Sequence, residues 1–290
     1  MKTIFVEKEE KTSVNFFVKI FPPCLTNRLY LCLMQMTSNP IRVSFVGSGN
    51  VATRLCYAFR DAGVEIFQLL SNSSSGKELS EVLDMELITT PKELKPVDVV
   101  LLCIKDDALI PDYLSQFPKN LLLCHSSGSV SMEVFENHKR AAVFYPLQTL
   151  SKTKEVEFEN IPICLEAREK TDLKLLTTLA KTISRDVRVV DSKERLQIHL
   201  AAVFVSNFAN HLYKIAGDLL ENSNIDFDIL KPLIAETAAK VQMINPLQAQ
   251  TGPALRHDEE VIKKHIDLLN PYPDYQKIYK LFSKSIAENN

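Results

Sequence analysis

The stretch Ile41-Arg42-Val43-Ser44-Phe45-Val46-Gly47-Ser48-Gly49-Asn50-Val51-Ala52 decides how the chain is read. Its first half is an apolar run rich in β-branched residues, the pattern of a strand buried on both faces. Its second half is a G-x-G-x-x-A turn, after which Val51, Leu55, Ala58 and Phe59 recur at helical spacing. Gly63 follows where a left-handed residue closes a helix. In a strand-turn-helix of this kind Gly47 permits the tight turn and Gly49 lets backbone approach a pyrophosphate. Ala52 keeps the helix close to the sheet, and the free N–H groups at the helix start face the phosphates. A tight turn with no ligand is the competing reading. The position at the head of a βαβ unit favours dinucleotide binding.

Working outward, 64–70, 97–104, 120–124, 141–145, 161–167 and 187–190 read as further strands, with helices over 132–138 and 172–184. Near-continuous Val/Leu/Ile runs separated by helices predict a parallel sheet covered on both faces. After Asp191 the strand signal stops. Helices are expected over 194–221, 227–244, 259–269 and 275–288, punctuated by Pro246, Pro253, Pro271 and Pro273. The expected fold class is therefore α/β: a Rossmann-type dinucleotide-binding domain over 40–191 followed by an all-helical substrate and dimerisation domain over 192–290. Residues 1–39 have no clean period and read as an N-terminal extension. They are either an arm on the domain or sequence upstream of a start at Met34 or Met36.

Composition narrows the partner classes. Thirty-four basic against thirty-six acidic residues leave a net charge of −2, so there is no basic excess for a nucleic-acid backbone. No run approaches the ~18 apolar residues of a membrane helix. The six cysteines form no C-x-x-C pair, which fits a reducing cytoplasm and no metal site. Only seven glycines occur in 290 residues, so each one marks a place that requires it.

Candidate site residues fall at strand ends, where open parallel sheets bind ligands. The second strand ends in Ser71-Asn72-Ser73-Ser74-Ser75 with Lys77 beyond. Hydroxyls, an amide and a cation suit the 2′-phosphate of NADP better than the ribose of NAD, for which a carboxylate is usual, though NAD stays open. Lys105 could meet a ribose hydroxyl or a substrate carboxylate, and Asp106 and Asp107 could cap the next helix. His125 reads either as an acid/base or nicotinamide-orienting group or as a satisfied loop histidine. The next loops add Ser126, Ser127 and, from Tyr145-Pro146-Leu147-Gln148-Thr149, Gln148. A cysteine-nucleophile role for Cys124 is rejected, because neighbours on a strand point to opposite faces.

In the helical half His199, Val203, Asn207 and His211 step by four, with Lys214 three further on. This polar stripe reads either as substrate-facing or as an interface network. In the first case Asn207 orients a substrate carbonyl, while His199, His211 or Lys214 exchanges a proton. The loop from Thr251 to Asp258 offers Thr251 and Arg256 to a substrate carboxylate.

Taken together, F-V-G-S-G-N-V-A (45–52), C-I-K-D-D-A (103–108), H-S-S-G-S-V (125–130), V-F-Y-P-L-Q-T (143–149), H-L-A-A-V-F-V-S-N-F-A-N-H-L (199–212) and Q-T-G-P-A-L-R-H-D (250–258) resemble a known family. It comprises Rossmann-like NADP oxidoreductases whose C-terminal part is domain of unknown function 2520, similar to pyrroline-5-carboxylate reductases and 3-hydroxyacid dehydrogenases. The resemblance spans about residues 40–285. It implies a nicotinamide cofactor on the N-terminal sheet, a small-molecule substrate held against the helices, and a homodimer built from the helical domains. It also implies that Gly47, Ser48, Gly49, Asn50, Val51 and Ala52 hold the pyrophosphate, and that Lys105, Ser126 and Ser127 lie near the nicotinamide ribose. The family usually has Gly at the place of His257. The expected activity is hydride transfer to or from a small carbonyl, imine or hydroxy acid, and the alternative is a non-catalytic NAD(P)-binding sensor or partner-recruiting protein.

Overall fold

The computed structural model describes residues 40–136 and 138–289, so the expected extension over 1–39 lies outside the described residues. Two compact units divide between Ala202 and Val203.

The first unit is an eight-stranded sheet. In chain order it runs β1 (Arg42–Val46), α1 (Asn50–Asp61), β2 (Glu65–Leu70), α2 (Ser74–Val82), β3 (Glu86–Ile88), β4 (Val99–Leu102), α3 (Pro111–Leu114), β5 (Leu123–His125), β6 (Ala141–Pro146), β7 (Ile163–Ala167), α4 (Lys170–Lys181), β8 (Val187–Val189) and α5 (Ser192–Ala202). Strand order is β3-β2-β1-β4-β5-β6-β7-β8. The order reverses at β1 and β4, which opens a crevice at their carboxyl ends.

β1 is central and fully buried from Val43 to Val46, which is why its run is apolar on both faces. Val43 and Phe45 point to one core, shared with Leu55 and Phe59 of α1 and Leu176 and Leu179 of α4. Val46 points to the other, with Leu114, Phe117 and Phe135. Phe59 is the keystone of the first core, lying 6.4 Å from Phe45 and 5.8 Å from Phe144 between ring centroids. Each fully buried ring contributes roughly 2–3 kcal/mol.

The all-parallel expectation needs correcting at one pairing: β7 pairs antiparallel with β6, from Ala142 opposite Ala167 to Pro146 opposite Ile163, and β8, parallel to β7, runs with it against the other six strands. The stretch between them contains only a short 3₁₀ turn, Phe158–Asn160, and no crossover helix of the kind parallel neighbours require. The helix expected over 132–138 is a single 3₁₀ turn, Met132–Phe135. Both edge strands, β3 and β8, are three residues long.

The second unit is helical. A π-helical segment, Val203–Phe208, precedes α6 (Ala209–Glu221), α7 (Lys231–Met243), α8 (Pro246–Ala249), α9 (Glu259–Leu268) and α10 (Pro273–Asn289). Asp258 caps α9 by accepting the Val261 N–H, and the Lys214–Asp218–Tyr275 cluster fastens α6 to α10. Many large apolar side chains here are exposed, among them Phe204, Val205, Leu233 and Met243. No helix among the described residues is long and apolar enough to cross a membrane.

Candidate functional site

The turn after β1 is built as a phosphate turn requires. Gly47 has φ +93°, and a methyl group there would lie 2.6 Å from the Cys103 carbonyl oxygen, so only glycine fits. Gly49 is the N-cap of α1 and makes no side-chain cap, leaving the first N–H groups without one. A methyl on Gly49 would meet no atom within 4 Å, so the space over the helix start is open. Ala52 is fully buried against the sheet.

Beside this turn lies a cluster of hydroxyls. Ser48 Oγ is hydrogen-bonded to Ser71 at 3.2 Å, Ser73 at 2.8 Å and Ser75 at 3.1 Å. Ser73 also caps α2, accepting the Gly76 N–H at 3.1 Å. Gly76 has no role in the sequence reading, yet a side chain there would strike Ser71 Oγ at 2.2 Å. Scarcity of glycine is the one signal that could have found it. Asn72 turns away and donates to the Thr89 carbonyl, and Lys77 is exposed beside Glu81. Four hydroxyls and a helix start with no carboxylate among them form an anion-accepting group, and so fit a phosphorylated ribose.

The ends of β4, β5 and β6 bring a second set together. Lys105 is exposed, and the 3₁₀ turn that follows it has no side-chain cap. Asp106 accepts a hydrogen bond from Ser129 instead. Ser127 Oγ accepts the N–H groups of Ser129 and Val130 at 3.1 and 3.0 Å, and Ser126 N–H donates to Leu102. Gln148 is exposed, its side chain accepting the Thr149 N–H.

His125 needs correcting as a substrate group. It is fully buried, its ring stacks on Phe135 at 5.6 Å, and Nδ1 accepts the Ser127 N–H. Burial, reinforced by the Arg195 guanidinium, pushes its pKa down to about 3. A histidine that is buried and neutral neither reaches a substrate nor donates a proton near neutrality. Cys124 is likewise buried, and its thiol is pushed well above the ordinary value.

A third group centres on Tyr145, at the end of β6. Its hydroxyl lies 3.1 Å from His199 Nδ1, with the two rings edge-on. Gly128 lies beneath the pair: a methyl there would fall 2.5 Å from His199 Nδ1 and 2.8 Å from Tyr145 Cζ. One turn before His199, Arg195 is buried and anchors α5. It binds the Glu166 carboxylate, the Val130 carbonyl at 2.6 Å and Ser192 Oγ at 3.1 Å. Sequence reasoning missed Arg195 and Glu166, because an Arg and a Glu 29 residues apart carry no local signature of pairing.

The remaining predicted residues belong to the helical unit. The expected stripe is broken there, because Asn207 lies in the π-helical segment, where hydrogen bonds close over five residues and the four-residue step no longer keeps one face. Asn207 and His211 are exposed. Lys214 bonds Asp218 and Tyr275, and these partners hold its ammonium above the ordinary lysine range, which removes it as a base. Thr251 and Arg256 are exposed on their loop, and His257 sits at φ +52°, a left-handed position. Among the described residues no three His, Cys, Asp or Glu side chains gather as a metal site.

The sequence pattern described as domain of unknown function (DUF2520) matches residues 161–286. A solved structure from Bacteroides fragilis, named a "putative NADP oxidoreductase", is 39% identical. The match covers 86% of this chain and 99% of that one, with a TM-score of 0.80. A Thermotoga maritima protein is 22% identical over 85% of this chain and 100% of its own, at a TM-score of 0.70. An imine reductase of Streptomyces aurantiacus is 16% identical over 85% and 95%, at 0.60. At those identities the last two share the fold alone. No curated protein matches the chain. Identity of 39% along the whole Bacteroides fragilis protein, joined to the matched helical half, places the chain in the family of Rossmann-like oxidoreductases that carry domain of unknown function 2520.

Proposed function

We propose that the chain is an NADP-dependent oxidoreductase that transfers a hydride to or from a small carbonyl, imine or hydroxy acid. The carrying observation is the hydroxyl cluster of Ser48, Ser71, Ser73 and Ser75 beside the open, uncapped start of α1. On this reading Gly47, Ser48, Gly49, Asn50, Val51 and Ala52 hold the pyrophosphate, and Ser71 and Ser73 take the 2′-phosphate, whereas Asn72 is spent on the Thr89 carbonyl. Lys105, Ser126 and Ser127 meet the nicotinamide ribose. A bound nicotinamide dinucleotide supplies the hydride chemistry, and the protein orients the substrate and moves the proton.

Residues 40–191 serve the nucleotide, while 192–290 serve the substrate and a homodimer. Asn207, Gln148, Thr251 and Arg256 are the polar groups offered to the substrate, with His199 and His211 available for proton exchange. The homodimer reading draws on the exposed Phe204, Val205, Leu233 and Met243, which a second copy would cover. Four buried, unpaired thiols (Cys56, Cys103, Cys124 and Cys164) suit a cytoplasmic setting.

Calorimetric titration with NADPH and NADH tests the reading. Charge-assisted hydrogen bonds to the 2′-phosphate are worth about 1.5–3 kcal/mol, so NADPH should bind at least about tenfold more tightly. Equal affinity would remove the NADP assignment, and binding of neither would remove the nucleotide.

A further inference from the structure

The Tyr145–His199 pair is placed where a reacting group would need it and is built with unusual economy. Tyr145 stands at the carboxyl end of β6, on the sheet edge that also carries the glycine turn after β1, Lys105 after β4 and Ser126 after β5. Its hydroxyl is held by His199 Nδ1 at 3.1 Å. The absence of a side chain at Gly128 lets both rings close over the loop after β5. Arg195, locked to Glu166, fixes the helix one turn before His199. Two side chains 54 residues apart are thus brought together by three separate devices: a glycine, a buried ion pair and a strand end.

We propose that Tyr145 is the proton-transferring catalytic residue of a carbonyl–alcohol redox reaction, with His199 as its positioning and relay partner. This rests on the nucleotide reading above. The productive hydrogen bond has His199 Nδ1–H donating to the Tyr145 oxygen, which leaves the phenolic proton free to point at the substrate. In the reducing direction the substrate's carbonyl carbon gains a hydride, its two electrons coming from the reduced nicotinamide dinucleotide. The C=O π pair moves onto oxygen, the Tyr145 O–H bond breaks, and its proton forms the new alcohol O–H. As the phenolate takes the Nδ1 proton of His199, Nε2 gains one from water in the same relay, the hydroxide left behind is neutralised by bulk solvent, and proton exchange with solvent returns the imidazole to its Nδ1–H tautomer.

The pair also narrows the substrate class. A protonated imine already carries its proton and needs no acid at the reacting atom, whereas a carbonyl does. Burial pushes the Tyr145 phenol above its ordinary value, so it stays protonated and able to donate across the neutral range.

The oxidised nicotinamide ring carries a positive charge that the reduced ring lacks, and only a group close to the ring feels the difference. The test therefore uses the full chain labelled at tyrosine Cζ with carbon-13, titrated with base and observed by NMR in complex with NADP⁺ and, separately, NADPH. Tyr145→Phe identifies the signal and removes only the hydroxyl. The Tyr145 ionisation midpoint should be lower by roughly one to two pH units with NADP⁺. The titratable and charged neighbours of Tyr145 in the sheet unit, Cys164, Arg195, Asp106 and its partner His199, are the same in both complexes. His199→Gln should raise the NADP⁺ midpoint by about one unit, since the phenolate loses its donor. Equal midpoints in the two complexes would overturn the role of Tyr145 while leaving nucleotide binding intact. A midpoint unmoved by His199→Gln would overturn the relay, and failure of both nucleotides to bind would remove the proposal together with the reading beneath it.

Discussion

Arg195→Met tests how the sheet unit holds its last helix. The guanidinium is 1% exposed and serves three acceptors: the Glu166 carboxylate, the Val130 carbonyl and Ser192 Oγ. Methionine keeps most of the stem and removes the charge. The Glu166 side chain, 15% exposed, then loses its cation but keeps the Ser192 hydroxyl proton, shared between its two oxygens at 3.0 and 2.8 Å from Oγ. Breaking a buried pair costs about 3–5 kcal/mol, and the residual exposure of Glu166 puts this case near about 3 kcal/mol. Glu166→Leu alone strands the guanidinium and should cost a similar amount. The double variant Arg195→Met/Glu166→Leu removes both charges and leaves mainly the Val130 carbonyl unsatisfied, at about 1 kcal/mol. Urea unfolding followed by circular dichroism, with denaturant slopes checked for equality, gives the four corners of the cycle. Single losses of about 3 kcal/mol each against about 1 kcal/mol for the double put the expected coupling at about 5 kcal/mol. Additivity within about 0.5 kcal/mol would refute the reasoning and reduce Arg195 to a packed side chain.

The two turn glycines should separate cleanly. Gly47→Ala forces a methyl onto the Cys103 carbonyl at positive φ and should destabilise by about 2 kcal/mol or more in the same denaturation assay, whereas Gly49→Ala should leave stability within about 0.5 kcal/mol and weaken NADPH binding roughly tenfold by calorimetry. His125 folds neutral with a pKa of about 3 against an ordinary 6.5, so the unfolded chain binds its proton first and stability falls as pH drops through that window. Between pH 7 and 5 this contribution should cost wild type about 2 kcal/mol, and it should be absent from His125→Gln, so that the stability difference between the two changes by that amount over the same range. His257→Gly relieves a left-handed side chain but loosens the unfolded chain, and it should raise stability by up to about 1 kcal/mol, read as a higher melting temperature; a lower one would mean the imidazole holds the loop.

Much of the sheet is legible because it is central. Runs such as Val43–Val46 and Val99–Leu102 are buried on both faces, and continuous apolarity follows from that burial. The bounds of α1 are legible because Gly49 and Gly63 punctuate it. The direction of β7 is not, since an apolar run reads the same in either sense and only the missing crossover helix distinguishes them. β3, Glu86-Leu87-Ile88, escapes notice because an edge strand of three residues has no period to detect. The π-helical segment is hidden for a related reason: in a stretch as apolar as Val203–Phe208, a five-residue hydrogen bond leaves no compositional trace. At the site, the glycine turn is local and readable, as is the serine run after β2. The fate of His125 is not, because whether a strand-end histidine faces solvent or core depends on Phe135 and Arg195, which arrive from elsewhere in the chain. Tyr145 and His199 meet only through the fold.

The two edges of the sheet bear on how copies of the chain can associate. β3 and β8 present three residues each, and both are flanked by charge: Glu86 bound to Lys95, and Arg188 bound to Asp186. A neighbouring chain that tried to continue the ladder would gain a few hydrogen bonds and would have to strip water from an ion pair at either end. Strand-by-strand polymerisation is thereby discouraged at both ends of an otherwise very apolar sheet. On the proposed homodimer, self-association would fall to the helical unit and its exposed phenylalanines and leucines, where contact between two like faces would close on itself instead of propagating.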